Sequence, residues 1–170
     1  GPMRGLHLIA ELHDCRCAQR LLESVDALRE LCLAVCTVPG LTPVGQVFHQ
    51  FGNETNPAGA TGAVILAESH LAVHTWPELN AVTLDVYVCN FRHDNSAKAQ
   101  AATDSLVQLF APGRSNRNSL LRGAPQSPDS PDAAHLTLEW LTPDVVHGFA
   151  RRRPPDVVPT PVQRLEWHDT

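Results

Sequence analysis

Ala81-Val82-Thr83-Leu84-Asp85-Val86-Tyr87-Val88-Cys89 is the stretch from which the fold can be read. Val82, Leu84, Val86 and Val88 fall on one side of an extended chain, Thr83, Asp85, Tyr87 and Cys89 on the other. That alternation describes a strand with one face on a core and the other open. Towards the N-terminus, His70–Thr75 reads as extended too, because β-branched Val73 and Thr75 lead into Trp76-Pro77. Thr61–Ala67 is a short apolar run suited to a buried strand, while residues 52–60, Gly-Asn-Glu-Thr-Asn-Pro-Ala-Gly-Ala, have the composition of a loop. Leu41–Phe51 and residues 5–12 supply two more strands. Between them Leu21, Leu22, Val25, Leu28, Cys32 and Val35 recur at helical spacing from about Ala18 to Cys36, and Pro39-Gly40 stops that helix. On the C-terminal side the pattern predicts a helix from roughly Asn95 to Phe110 and a short strand near Ser119–Leu121. The sum is an α+β two-layer sandwich, a mostly antiparallel sheet with helices on one face.

The chain has 170 residues, 43% hydrophobic and 18% charged, which suits one domain plus a fragment. A net charge of -5 gives no broad electrostatic footprint for nucleic acid or an anionic membrane, so neither is expected as a partner. No apolar run approaches the ~20 residues of a membrane span and no signal segment is evident, so a cytoplasmic location is expected. Five cysteines cannot all pair within the chain, and reduced thiols are expected. Cys32 and Cys36 read as small core residues. Gly1-Pro2 reads as a tag remnant, which leaves a first domain over residues 3–122. Residues 123–134, rich in Pro, Ser and Asp, form a linker, and 135–170 is too short to bury its own core.

The chemistry-bearing stretch is Glu68-Ser69-His70-Leu71-Ala72-Val73-His74-Thr75-Trp76-Pro77-Glu78, followed by Cys89. A serine beside histidines invites a hydrolase reading, but no G-x-S-x-G elbow surrounds Ser69. His70 and His74 have zincin spacing, yet Leu71 stands where that motif needs an acid, and the context is extended. On a strand these two histidines share a face, which makes a two-His metal site geometrically possible. Further ligands have no evident source, so no metal is expected.

This stretch resembles the self-cleavage motif of the prokaryotic S-adenosylmethionine decarboxylases. His7-Leu8-Ile9-Ala10-Glu11, Phe48-His49-Gln50-Phe51 and Leu84–Cys89 match as well, in order, from about Met3 to Leu121. The resemblance implies that Ser69 attacks the carbonyl of Glu68, that the peptide bond becomes an ester, and that elimination and hydrolysis leave a pyruvoyl group. His74 is then the proton acceptor during processing, a task suited to a side chain titrating near neutrality. Thr61 stands where the family has a processing hydroxyl, and Cys89 is the implied proton donor to the substrate carbon. The pyruvoyl group serves as the cofactor, an electron sink reached through a Schiff base with the substrate amine. Ser69 and His74 have opposite parity on an ideal strand, so they cooperate only if the scissile turn breaks the pleat.

The same resemblance places Phe51 and Trp76 near adenine, Glu78 near the ribose hydroxyls and Glu11 in the substrate site. It implies a homodimer with sites near the subunit interface, feeding spermidine synthesis. Two other readings stay open. The polar 52–60 segment, with Asn53, Glu54 and Asn56, could read ornithine or arginine on the same pyruvoyl scaffold, and an unprocessed non-enzymatic partner domain is the third reading. Leu136–Asp144 and Val162–Thr170 resemble the opening strands of spermidine-synthase-type aminopropyltransferases, a fused second domain cut short at Thr170.

Overall fold

The computed structural model describes residues 4–123, and the sequence readings made on 124–170 lie outside the described residues. Six strands form one antiparallel sheet: β1 (Gly5–Cys15), β2 (Pro43–Gly52), β3 (Pro57–Leu66), β4 (Ser69–Trp76), β5 (Ala81–Cys89) and β6 (Pro112–Arg122). Their spatial order is β2-β3-β4-β5-β1-β6. Helices α1 (Gln19–Glu23), α2 (Val25–Thr37) and α3 (Ser96–Phe110) pack on one side of it. The α+β two-layer sandwich is the architecture found, and the reason is the alternation quoted above. Val82, Leu84, Val86 and Val88 are buried against the helices with Leu71 and Val73 of β4 and Leu8, Ala10 and Leu12 of β1. Each Val or Leu side chain among them contributes roughly 1.5–3 kcal/mol when fully buried. From the helices, Leu28, Cys32, Val35, Ala102, Leu106 and Phe110 complete the core.

Three local readings are corrected. The helix expected over 18–36 is broken at Ser24, where the backbone turns extended at φ -97° and ψ 122°. Gln50 holds the break open: its Oε1 accepts from Val25 N at 2.8 Å and its Nε2 donates to Glu23 O at 2.7 Å. A glutamine on a distant strand therefore satisfies backbone groups that a continuous helix would have paired internally. The 52–60 loop shrinks to a tight turn, because β3 begins at Pro57. Asn53 Oδ1 accepts from Thr55 N, Thr55 Oγ1 and Asn56 N, an Asx-type closure that lets the flanking residues pair. The short strand near 119–121 is an eleven-residue strand, β6, paired along β1. It is exposed almost throughout, so no apolar alternation marked it, and Arg114, Arg117 and Arg122 give it the charged character of an edge.

All five cysteines are free. Burial pushes the Cys36 thiol up to about 11 and raises Cys32 further, with Cys36 nearby adding to it, which keeps both protonated as core residues. Among the described residues no helix is long and apolar enough to cross a membrane.

Candidate active site

Strand β4 organises the site because its two ends carry different chemistry. At its start, Ala67-Glu68 forms a two-residue turn between β3 and β4. Glu68 has φ 61°, a left-handed conformation that costs a residue with a Cβ roughly 1–2 kcal/mol. The bond that follows, Glu68–Ser69, therefore leaves a strained residue and enters a regular strand. Ser69 is buried, and its Oγ accepts from the Cys89 N–H at 3.0 Å. That bond holds the hydroxyl oxygen at the end of β5. Asn95 Nδ2 donates to Cys89 O at 2.9 Å and fixes the same strand end from the start of α3.

Glu68, Ser69 and Cys89 line one cavity with Gly40, Arg92 and Lys98. Cys89 is buried, unlike its strand neighbours Asp85 and Tyr87, because β5 ends there beneath the turn. His93, with no role assigned from sequence, also lines this cavity. Arg92 and Lys98 likewise went unnoticed in the sequence. Only the fold brings the 89–98 connection over the 67–69 turn.

The other end of β4 holds a second group. Thr61 and His74 are register partners on β3 and β4, and Thr61 Oγ1 shares a hydrogen bond with His74 Nδ1. Phe51, Thr61, His74, Trp76 and Glu78 line one open pocket. Phe51 and Trp76 are 42% and 37% exposed, so neither is a core aromatic. His74 lies 6.1 Å from Trp76 between ring centroids, and His49 packs edge-on to Phe51 at 4.9 Å. Pro77–Leu79 forms a single 3₁₀ turn after β4, and Glu78 stands exposed on it. Glu11 faces the same uncovered side of the sheet: Thr61 pairs with His74, His74 with Thr83, and Thr83 with Glu11 across four strands. Thr75, between His74 and Trp76, points instead to the core, where its Oγ1 donates to Leu22 O at 2.7 Å and accepts from Ala60 N at 2.9 Å. It bolts this end of β4 to the helix layer.

The pleat of β4 is unbroken, and Ser69 and His74 stay on opposite faces. Five residues of strand separate them by roughly 16 Å. One chain thus carries a cluster of Glu68, Ser69 and Cys89 at one end of β4, and a separate cluster of Thr61, His74, Phe51, Trp76 and Glu78 at the other.

Residues 6–123 match the family model described as S-adenosylmethionine decarboxylase. The chain belongs to the S-adenosylmethionine decarboxylase family. Curated relatives include the S-adenosylmethionine decarboxylase proenzyme of Aquifex aeolicus, 35% identical over 70% of this chain and 81% of that protein. The corresponding proenzyme of Archaeoglobus fulgidus is 36% identical over 64% of this chain and 88% of its own length. In structure, the chain is similar to the crystallised adenosylmethionine decarboxylase from Aquifex aeolicus, with a TM-score of 0.63 and 31% identity. That likeness covers 75% of this chain and 97% of the other.

Proposed function

We propose that the chain is a proenzyme that cuts itself between Glu68 and Ser69 and, once processed, decarboxylates S-adenosylmethionine. The carrying observation is the left-handed Glu68 set directly before a serine whose oxygen is fixed by Cys89 N–H. Attack of the Ser69 hydroxyl on the Glu68 carbonyl replaces the amide C–N bond by an ester C–O bond and frees the Ser69 nitrogen as an amine. Releasing Glu68 from φ 61° favours that direction. Arg92 and Lys98 in the same cavity offer cations to the carboxylate left on Glu68. A pyruvoyl group derived from Ser69 supplies a ketone that withdraws electrons from the substrate bond to be broken. Cys89, sharing the cavity with Ser69, is positioned to return a proton to the substrate carbon.

The second cluster supports recognition of the adenosyl part. Phe51 and Trp76 offer exposed aromatic faces for a purine and a sulfonium, and Glu78 offers a carboxylate to ribose hydroxyls. His74, oriented through Nδ1 by Thr61, is the proton acceptor of the processing reaction. Because the two clusters lie at opposite ends of β4, a complete site calls for two copies. In a homodimer, the Ser69–Cys89 end of one meets the Thr61–His74–Trp76 end of the other. The uncovered sheet face, which carries His74, Trp76 and Glu11, is the surface a second copy would cover. Asn53 is engaged in closing its turn and Glu54 is exposed at the tip, so the ornithine or arginine reading loses the loop that motivated it. The resemblance of 136–144 and 162–170 to aminopropyltransferase strands supports a chain in which the maker of decarboxylated S-adenosylmethionine precedes its consumer.

Intact mass spectrometry tests the reading. Aged wild-type protein is expected as two fragments meeting at position 69, the larger carrying a ketone reactive to hydrazine. Ser69→Ala is expected as one full-length species with no decarboxylation. A wild-type chain that stays whole while releasing no carbon dioxide from S-adenosylmethionine refutes the proposal and favours the non-enzymatic partner domain.

A further inference from the structure

On the uncovered face of the sheet, β1, β4 and β5 bring together three side chains that the decarboxylation chemistry does not use. Asp85 Oδ2 lies 2.9 Å from His7 Nε2 and 3.2 Å from His70 Nε2. The three potential ligand atoms all fall within 4.8 Å of one another. The registers explain the convergence: His70 and His7 both pair with Tyr87, one from each side of β5, and Asp85 precedes Tyr87 by two residues on the same face. The Tyr87 ring packs against both imidazoles, at 5.9 Å and 5.6 Å between centroids, and limits how far either can swing. All three side chains are half-buried in the single chain.

We propose that His7, His70 and Asp85 form a binding site for a divalent transition metal of the zinc type. Two imidazole nitrogens and one carboxylate oxygen are the ligand types such ions take, with bonds of about 2.0–2.2 Å. Ligand atoms at those bond lengths around a tetrahedral ion stand roughly 3.3 Å apart, which the two nitrogen–oxygen distances approach within a few tenths of an ångström. The ion replaces the two Nε2 protons now shared with Asp85, and each neutral imidazole carries its proton on Nδ1 instead. A fourth position is left for water. Sequence spacing pointed to His70 with His74, but the structure pairs His70 with His7 and Asp85, both distant in the chain. His70 directly follows Ser69, so an ion here tethers the first residues of β4 to β1 and β5 after the Glu68–Ser69 bond is cut. The site forms within one chain and does not depend on the proposed reaction.

The test is a Co²⁺ titration of chelator-treated, full-length protein, followed by visible absorption, with Zn²⁺ as competitor. The expected result is one Co²⁺ per chain with d–d bands of a nitrogen and oxygen ligand set, displaced by Zn²⁺. Thiolate-to-metal charge transfer in the near ultraviolet is expected to be absent. Two paramagnetically shifted imidazole N–H proton resonances count the histidines without any substitution. His7→Gln and His70→Gln are each expected to weaken Co²⁺ by more than the roughly tenfold cost of losing an outer partner. Cys15→Ser/Cys17→Ser is expected to bind as the wild type does. No stoichiometric band overturns the site, as does one that survives His7→Gln and His70→Gln or that carries thiolate charge transfer.

Discussion

The two ends of β4 make opposite use of the same strand. At Ser69 the side chain is buried, the backbone just before it is strained, and the partner is the backbone N–H of Cys89. At His74 and Trp76 the side chains are exposed, the backbone is relaxed, and the partners are a hydroxyl and aromatic faces. The first end suits the proposed cleavage, which needs a fixed oxygen and a conformation worth leaving. The second has the character of a binding surface, which needs open faces with few internal partners. A regular strand keeps them apart, and that separation is what the proposed homodimer bridges.

The sharpest way to break that contrast is complementation. Ser69→Ala and His74→Ala chains, each expected to remain uncut alone, are expected to restore cleavage of the His74→Ala chain when coexpressed. The mixed dimer then holds one intact site made from Ser69 of one copy and His74 of the other. Mass spectrometry that finds no cleavage in the mixture would mean that each chain builds its own site. Next in size, Cys89→Ala is expected to leave cleavage in place and lower kcat by about 10²–10⁴-fold, the range for loss of a positioned proton donor, measured as carbon dioxide release. Trp76→Ala is expected to spare cleavage and raise KM by ~5- to ~150-fold, from about 1–3 kcal/mol of lost stacking. The smallest effect lies far from both ends. Arg117 Nη2 donates to Asp104 Oδ1, and this bond holds the Asp104 carboxyl below its ordinary value. Because the folded value is depressed, the pair stabilises above the ordinary carboxylate range and the gain is lost as pH falls through the lowered value. In this exposed setting Arg117→Ala is expected to cost at most ~1 kcal/mol near neutral pH and almost nothing in acid, read from urea melts at the two conditions.

Much of this could be read before any fold was known. Val82, Leu84, Val86 and Val88 announce the central strand because a period of two has one physical explanation, a face buried against helices. The motif from Glu68 to Glu78 carried the family resemblance because its residue types at that spacing are hard to produce otherwise. The break at Ser24 was hidden, since Gln50, which holds it open, lies on another element. Strand β6 was hidden because an exposed edge strand has no apolar pattern to display.

The sequence by itself determined the two-layer architecture and singled out the residues to which the chemistry is assigned, since hydrophobic period and residue type are local properties of a chain. Only the tertiary structure decided which of those residues meet. Register across β3, β4, β5 and β1 separates Ser69 from His74 and joins His7, His70 and Asp85, and register is fixed by which faces are buried together, not by spacing along the chain.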